Sequence, residues 1–252
     1  MIRWRGKIAV VTGAGSGIGE AITRGLLQNG VNVVALDIQK ERLAKLDAEC
    51  KQEDSQNLGT LHTICCDVNC EKEIDTAFTH IETLGGVDIM LNNAGVIDSS
   101  RIIDSERKTF ERLLNTNVLT VAVCTNKAVH SMRKRNVEGH IFSITGVASH
   151  SLMPASVGVN LYATSKHAAL VLSHTVRQEI AEIKAPIRVT TISLGCVKTN
   201  LFERSDTMKD FYEKLSTLQP SDIANAVIYA LGLRSEVQIT QLTIQPTGES
   251  HH

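Results

Sequence analysis

The chain has 252 residues, and its 26 basic and 27 acidic side chains give a formal net charge of -1. This balance provides no general attraction to nucleic acid or to an anionic membrane surface. The length suits one large α/β domain whose core needs no disulfide or metal. The N-terminus lacks the apolar stretch of a signal peptide, and no segment has the roughly 18 uninterrupted apolar residues of a membrane span. We therefore expect a cytoplasmic protein that binds no nucleic acid and does not cross a membrane.

Six cysteines raise the question of a metal site or disulfides. Cys65, Cys66 and Cys70 cluster, but Cys65 and Cys66 are adjacent and lie in or beside a strand-like segment. No CxxC pair or paired-histidine motif accompanies them. We therefore predict buried, reduced thiols and no metal site.

Apolar runs alternate with helix-like segments along the chain. The predicted strands are 7–12, 31–36, 62–66, 88–91, 140–144, 187–192 and 238–244, and the predicted helices are 18–28, 41–52, 71–84, 105–133, 162–183 and 220–233. Strands that are apolar throughout and alternate with helices indicate a parallel sheet covered on both faces. The prediction is a single α/β domain over residues 1–252 with a Rossmann-type, doubly wound parallel sheet. Residues 200–217 interrupt the alternation and are rich in charge, so we expect a lid there.

A glycine-rich segment, Thr12-Gly-Ala-Gly-Ser-Gly-Ile-Gly19, joins the first strand to the first helix. Glycines permit positive φ and a close approach of the backbone to a pyrophosphate, and the helix N-terminus offers unpaired N–H groups to the anion. Between a strand and a helix, this pattern predicts dinucleotide binding. The residues expected to contact the ligand here are Gly13, Ser16, Gly17, Ile18 and Gly19.

Asp37 follows the second predicted strand. A carboxylate there can accept hydrogen bonds from both hydroxyls of the adenosine ribose and would repel a 2′-phosphate. Neither Ile38 nor Ser16 supplies a compensating positive charge, so NAD is favoured over NADP, although Lys40 and Arg42 lie close in sequence. The alternative is that Asp37 only begins a turn.

Two further strand ends carry candidate binding residues. Asp67 and Val68 are placed to offer a carboxylate and a backbone N–H to the adenine, although an aspartate at such a position is usually a helix cap. Asn93, Ala94 and Gly95 allow the backbone to pass under the cofactor, although such turns often need no ligand to explain them.

Tyr162 and Lys166 lie one helical turn apart on the same face of a predicted helix. A free phenol has a pKa of about 10, which is too high for an efficient base near neutrality. The ammonium of Lys166, together with the positive nicotinamide of an oxidised cofactor, would favour the tyrosinate. Tyr162 would then take the alcohol proton in oxidation or donate it in reduction. Tyr-Lys pairs at this spacing also occur on ordinary helices.

These motifs occur in order along the chain together with Asn117 and resemble those of the short-chain dehydrogenase/reductases. The opening of the fifth strand at Gly139 and the C-terminal tail resemble one branch, which contains the insect farnesol dehydrogenases and the vertebrate dehydrogenase/reductase member eleven. The resemblance implies an oxidoreductase with Tyr162 as general acid/base. It makes Lys166 the residue that lowers the pKa of Tyr162 and holds the nicotinamide ribose, and Asn117 the support of a proton-relay water.

The resemblance also assigns Gly195, Val197 and Thr199 to contacts with the nicotinamide carboxamide. It further implies a homodimer or homotetramer that assembles through the predicted helices at 105–133 and 162–183.

Two positions depart from the family pattern. Leu194 stands where a proline is usual, and Gly146 stands where the family places a serine beside the tyrosine. Loss of one such donor typically lowers the rate by about 10²–10³. Strand alternation points Thr145 away from the site, although Thr145, Ser149 or a water remains a possible substitute. The alternative function is therefore a catalytically weakened nucleotide-binding sensor or scaffold of the same fold.

Apolar residues are predicted around the mouth of the cleft and favour a small apolar alcohol or ketone, such as a terpenoid, steroid, retinoid or fatty alcohol. The alternative is that these side chains only pack the loops. They are Val147, Leu152, Met153, Pro154, Val157, Val159 and Leu161, with Leu201, Phe202, Met208 and Phe211 from the expected lid.

Overall fold

Seven parallel strands form one sheet in the order β3-β2-β1-β4-β5-β6-β7. The computed structural model describes residues 1–53, 58–98, 101–151, 158–199 and 216–248. The strands are β1 (Ile8–Thr12), β2 (Asn32–Asp37), β3 (Leu61–Cys65), β4 (Ile89–Asn92), β5 (Gly139–Gly146), β6 (Ile187–Leu194) and β7 (Gln241–Ile244). The helices are α1 (Gly17–Gln28), α2 (Lys40–Gln52), α3 (Glu71–Leu84), α4 (Arg107–Leu114), α5 (Thr120–Arg135), α6 (Asn160–Glu182) and α7 (Pro220–Gly232).

Helices cover both faces of the sheet because its central strands are apolar on both sides. In β1, Ala9 and Val11 belong to one buried cluster, and Ile8 and Val10 belong to the other. The first cluster includes side chains of α1, α2 and α7, and the second includes side chains of α3, α5 and α6. The predicted doubly wound α/β fold is therefore confirmed.

The order of the strands reverses between β1 and β4. The chain leaves β1 in one direction through β2 and β3, then crosses back and continues from β4 to β7. The connections at the carboxyl ends of β1 and β4 therefore diverge and leave a crevice, which is where ligands bind in open α/β sheets. The glycine-rich segment and Asn93-Ala94-Gly95 border this crevice.

Helical residues run from Arg107 to Arg135, close to the helix predicted over 105–133, but they are not α-helical throughout. Helix α4 ends at Leu114, a π-helical segment occupies Asn115–Leu119, and α5 begins at Thr120. The wider turn places Asn117 inward, where it is 1% exposed and its side chain binds Val96. Such π segments frequently occur at functional sites.

The cysteine prediction is only partly correct. Cys66 is buried, and burial raises the pKa of its thiol to about 12. Cys65 is exposed and Cys70 is half-buried, because β3 lies at the edge of the sheet. All six cysteines lie among the described residues, and none of them forms a disulfide.

No helix within the described ranges combines the length and the apolar character that a membrane crossing needs. Among those residues there is also no group of three or more histidine, cysteine, aspartate or glutamate side chains that could hold a metal ion.

Candidate active site

A cleft of about 1150 Å³ lies at the carboxyl edge of the sheet. It is larger than the cavities of about 300–1,000 Å³ that hold most small ligands. The described residues that line it include all of the predicted site residues except Gly19 and Asn117. These are Gly13, Ser16, Gly17, Ile18, Asp37, Asp67, Val68, Asn93, Ala94, Gly95, Tyr162, Lys166, Gly195, Val197 and Thr199, while Gly19 packs directly beneath the loop.

The glycine-rich loop has a shape that only glycine allows at two places. Gly13 and Gly17 have φ values of +66° and +55°. A β-carbon on Gly19 would overlap the carbonyl oxygen of Gly13, so α1 can start this close to β1 only with glycine at that position. The result is an open backbone cradle in front of the α1 N-terminus, a geometry suited to a pyrophosphate.

Asp37 ties this loop to the end of β2. Its Oδ2 accepts the Gly15 N–H at 2.9 Å and its Oδ1 accepts the Gln39 N–H at 2.9 Å. These two bonds fix the carboxylate at the end of the cleft bordered by β2, and they leave some of its lone pairs free to accept further hydrogen bonds. Arg42 also lines this end, and Lys45 lies one turn further along α2.

Asp67 forms a turn rather than a helix cap. Its Oδ1 accepts hydrogen bonds from the Asn69 backbone N–H at 2.9 Å and from the Asn69 Nδ2 at 3.1 Å. The N-cap position of α3 is occupied by Cys70, which makes no side-chain cap bond. Val68 is held by its carbonyl, which accepts the Thr120 hydroxyl at 2.9 Å. The turn thus shapes the cleft wall opposite Asp37.

Thr12 organises the centre of the cleft, a role that the sequence analysis missed. Its Oγ1 accepts the N–H groups of Asn93 and Ala94 at 3.1 and 3.0 Å. The Asn93 side chain in turn donates to the carbonyls of Thr12 and Gly13 at 2.9 and 3.2 Å. Asn93 therefore acts by locking the two loops together. Thr12 is 1% exposed, and a threonine that immediately precedes the glycines was the available signal.

Tyr162 and Lys166 project from the first turns of α6 into the cleft. The Lys166 Nζ donates to the Ile144 carbonyl at 3.3 Å and lies 5.6 Å from the centroid of the Tyr162 ring. Burial raises the pKa of Tyr162 to about 12 and lowers the pKa of Lys166 to about 8. Proximity to Lys166 alone therefore does not lower the pKa of the phenol in this structure.

Asn117 lies behind these two residues. Its Oδ1 accepts the Val96 N–H at 2.9 Å, and its Nδ2 donates to the Val96 carbonyl and to Ser165 Oγ, both at 2.9 Å. The side-chain amide is thus fully engaged, and it holds the loop after β4 against α6. Ser165 was not among the predicted site residues.

Gly146 ends β5 beside the phenol. A β-carbon built on Gly146 lies 3.8 Å from the Tyr162 Oη, with no contact closer than 3.6 Å. The Thr145 hydroxyl points toward β6, where it contacts the Ile192 carbonyl at 3.3 Å and Ser193 Oγ at 3.0 Å. Ser149 Oγ donates to Thr145 at 3.5 Å.

The segment after β6 closes over the glycine loop. The Gly195 N–H donates to the Ile244 carbonyl at 2.7 Å, and Val197 pairs with Leu218. The Thr199 methyl lies 3.1 Å from the position of a β-carbon on Gly17. All three predicted residues of this segment therefore lie along one wall of the cleft.

The predicted substrate mouth is described only in part. Val147 lines the cleft, but Val159 and Leu161 are buried and lie outside the described lining. Ile97 and Arg112, which were not predicted, also line it. Arg112 pairs with Asp98 at 2.9 Å. The remaining predicted mouth residues, Leu152, Met153, Pro154 and Val157, lie outside the described residues. The same is true of most of the expected lid, including Leu201, Phe202, Met208 and Phe211.

Comparison with known proteins agrees with this architecture. Residues 7–210 match the family described as short chain dehydrogenase. The chain is 39% identical to the Gallus gallus protein named dehydrogenase/reductase SDR family member 11, with 98% of each chain covered. It is also 39% identical to the Aedes aegypti farnesol dehydrogenase, with 99% of each chain covered.

A solved structure, an alcohol dehydrogenase from the archaeon Thermococcus sibiricus complexed with 5-hydroxy-NADP, is 26% identical with a TM-score of 0.80. The match covers 98% of this chain and 99% of that chain. The chain therefore belongs to the short-chain dehydrogenase/reductase family of oxidoreductases.

Proposed function

We propose that the protein transfers a hydride between NAD(H) and the carbinol or carbonyl carbon of an apolar alcohol or ketone. The observation that carries the proposal is the placement of Tyr162 and Lys166 in the same cleft as the glycine-rich loop and Asp37. A proton-transferring pair and a dinucleotide cradle are the two parts that such a reaction needs.

The cleft residues fit a nicotinamide dinucleotide from end to end. When bound, the coenzyme supplies the hydride donor or acceptor. The glycine loop, with Gly13, Ser16, Gly17, Ile18 and Gly19, would hold the pyrophosphate. The other contacts run along the cleft, with Asp67 and Val68 at the adenine, Asn93, Ala94 and Gly95 beneath the ligand, Lys166 at the nicotinamide ribose, and Gly195, Val197 and Thr199 at the carboxamide.

Asp37 supports NAD over NADP. Its carboxylate is fixed by two backbone N–H groups and is 6% exposed, so it cannot easily move away from a 2′-phosphate. The repulsion between the two anions acts in a partly desolvated site, where screening is weak. Arg42 at the same end offers a counter-charge, and the archaeal relative is complexed with an NADP derivative, so the preference requires a direct test.

Tyr162 would move the proton. Its raised pKa keeps the phenol protonated at neutral pH, which suits donation to a carbonyl oxygen in reduction. Oxidation needs the tyrosinate, which the charge of Lys166 and of the oxidised nicotinamide would favour. The rate of oxidation is therefore expected to rise with pH, and the rate of reduction to fall.

The alternative function, a sensor or scaffold that binds NAD with little turnover, rests only on the missing hydroxyl at position 146 beside Tyr162. The comparisons do not support it. The curated relatives are named as dehydrogenases and reductases, which favours the enzyme. A water beside Gly146, or the hydroxyl of Ser151 on the cleft wall, would supply the second donor.

An apolar substrate is supported by Val147 and Ile97 on the described wall of the cleft and by the name of the Aedes aegypti relative. Farnesol is an apolar terpenoid alcohol. Steroid, retinoid and fatty alcohols share its long apolar body and single reacting oxygen.

We also propose self-association through the α4–α5 and α6 surfaces. Leu114, Leu119 and Val171 are apolar yet 40%, 57% and 62% exposed on these elements, and a second copy would cover them. Sedimentation at several concentrations tests this: a dimer or tetramer supports the surface, and a monomer at all concentrations contradicts it.

The reaction is tested by following the absorbance of reduced coenzyme while the protein is offered NAD or NADP with a panel of apolar alcohols. Turnover with NAD supports the proposal. Turnover with NADP alone would leave the chemistry in place and contradict the role of Asp37. Binding of NAD by calorimetry without turnover of any alcohol would favour the sensor or scaffold.

A further inference from the structure

Ser165 sits between Tyr162 and Lys166 and is completely buried. Its hydroxyl donates to the Tyr162 carbonyl at 2.7 Å and accepts from the Asn117 Nδ2 at 2.9 Å. Both bonds are short and well within the normal range for hydrogen bonds to a hydroxyl. Ser165 therefore connects the turn that carries the phenol to the π-helical segment behind it.

The connection continues beyond Asn117. The Asn117 amide also makes two 2.9 Å bonds with the backbone of Val96, which directly follows the Asn93-Ala94-Gly95 segment. An unbroken series of hydrogen bonds thus runs from the loop beneath the proposed coenzyme site to the start of α6. Each member is buried or half-buried, so loss of one partner leaves a polar group unsatisfied.

The first turn of α6 needs such support. Its N-cap residue, Val159, makes no side-chain cap bond. Ser165 Oγ joins the Tyr162 carbonyl, within α6, to the Asn117 amide on the π-helical segment. A displacement of about 1 Å at a reacting group can lower a rate about 10²-fold, so a support at this point controls where the phenol sits.

We propose that Ser165 is a positioning residue for the reaction, holding the Tyr162 turn against Asn117 so that the phenol stays in place relative to the substrate oxygen. The inference rests on the proposed function for its kinetic consequences. The arrangement of Ser165, Asn117 and Tyr162 itself does not depend on it.

The test compares Ser165→Ala with Ser173→Ala. Ser173 lies on the same helix, is also buried, and is hydrogen-bonded to Ser143 Oγ at 2.9 Å and to the Ala169 carbonyl at 3.0 Å. It therefore controls for loss of a buried helical hydroxyl away from Tyr162. Ser165→Ala should lower kcat about 10- to 100-fold, shift the pH profile of kcat, and leave the calorimetric Kd for NAD little changed.

Ser173→Ala should keep the wild-type kcat and pH profile. Ser165→Cys should give an intermediate kcat, because a thiol is a weak donor and acceptor; it also keeps the proposal testable where Ser165→Ala does not fold. A Ser165→Ala protein with the kcat and pH profile of Ser173→Ala would show that Ser165 only packs the helix.

A second readout needs no turnover. The full chain, which has three tyrosines, is labelled with 3-fluorotyrosine, and the Tyr162 fluorine resonance is assigned with Tyr162→Phe. Ser165→Ala should shift this resonance and its titration midpoint, whereas Ser173→Ala should not. If the wild type oxidises no alcohol, the proposed function fails, but this spectrum still shows whether Ser165 positions the Tyr162 ring. A Tyr162 resonance that is not shifted in Ser165→Ala would overturn the inference.

Discussion

The β-carbon position of Gly146 lies 3.8 Å from the Tyr162 Oη. This distance puts residue 146 within reach of the oxygen atom that Tyr162 would protonate. The glycine has an extended backbone, with φ of -129° and ψ of 164°, that any residue adopts. The fold therefore does not require a glycine at position 146. The identity of this residue matters for the chemistry beside Tyr162.

Gly146→Ser should raise kcat. A serine fits without close contacts, and a donor to the developing oxyanion is typically worth about 10²–10³ in rate. We expect a smaller recovery than this range, about 10-fold, because a water can enter the space beside a glycine and supply part of the donation. Gly146→Ala is the control, since it adds the β-carbon without the hydroxyl. Equal kcat values for the serine and alanine variants would contradict the donor role of this position.

Asp37→Asn should shift the coenzyme preference toward NADP. The amide can still accept one of the two backbone N–H groups, but it removes the negative charge that faces the 2′ position. Loss of a charge-assisted hydrogen bond, about 1.5–3 kcal/mol, corresponds to a change of about 10- to 100-fold in the ratio of kcat/KM for NADP and NAD. Asp47→Asn, on the same part of the chain but paired with Lys51 at the surface, should leave the ratio unchanged. A ratio that is also unchanged in Asp37→Asn would remove Asp37 from coenzyme selection.

Gly19→Ala should abolish NAD binding. The added β-carbon would overlap the Gly13 carbonyl, so the loop and the start of α1 must move apart. Gly25→Ala is the matched control on the same helix, because its β-carbon would meet Ala224 Cβ at an ordinary 3.7 Å. That variant should bind NAD normally and gain about 0.5–1 kcal/mol of stability from alanine's higher helix propensity. Normal calorimetric binding by Gly19→Ala would contradict the assigned role of the loop.

Lys166→Met should stabilise the fold at pH 7. The pKa of Lys166 is about 8 in the folded protein against 10.5 for an ordinary lysine. Below pH 8 the folded state therefore carries the full cost of a buried charge, and between pH 8 and 10.5 the unfolded chain binds more protons. The stability of the wild type rises with pH across that window. Urea unfolding at pH 7 should give the variant about 1–3 kcal/mol more stability, allowing for the lost bond to Ile144.

The advantage of Lys166→Met should shrink as the pH rises from 8 to 10.5, while activity is lost at every pH. Lys72→Met replaces an exposed lysine on α3 and should change stability little at either pH. A Lys166→Met protein that is no more stable than wild type at pH 7 would show that the buried amine is better solvated than its surroundings indicate.

The sheet, its order of helices and strands, and most cleft residues could be predicted because they depend on local patterns. Periodic apolar runs define buried strands, and glycines between a strand and a helix define a loop. The roles of Thr12, Asn93 and Ser165 could not be predicted, since their partners lie far away in sequence or depend on the rotation of a helix. The π-helical segment at Asn117 was missed for the same reason: only its contact with Val96 distinguishes it from a continuous helix.

The most direct test of the account is a comparison of wild type and Tyr162→Phe in the oxidation of an apolar alcohol with NAD. The variant keeps the ring and loses the only group assigned to proton transfer, so kcat/KM should fall by about 10²–10⁴ while the calorimetric Kd for NAD stays the same. A Tyr162→Phe protein that oxidises the alcohol at the wild-type rate would contradict the central claim.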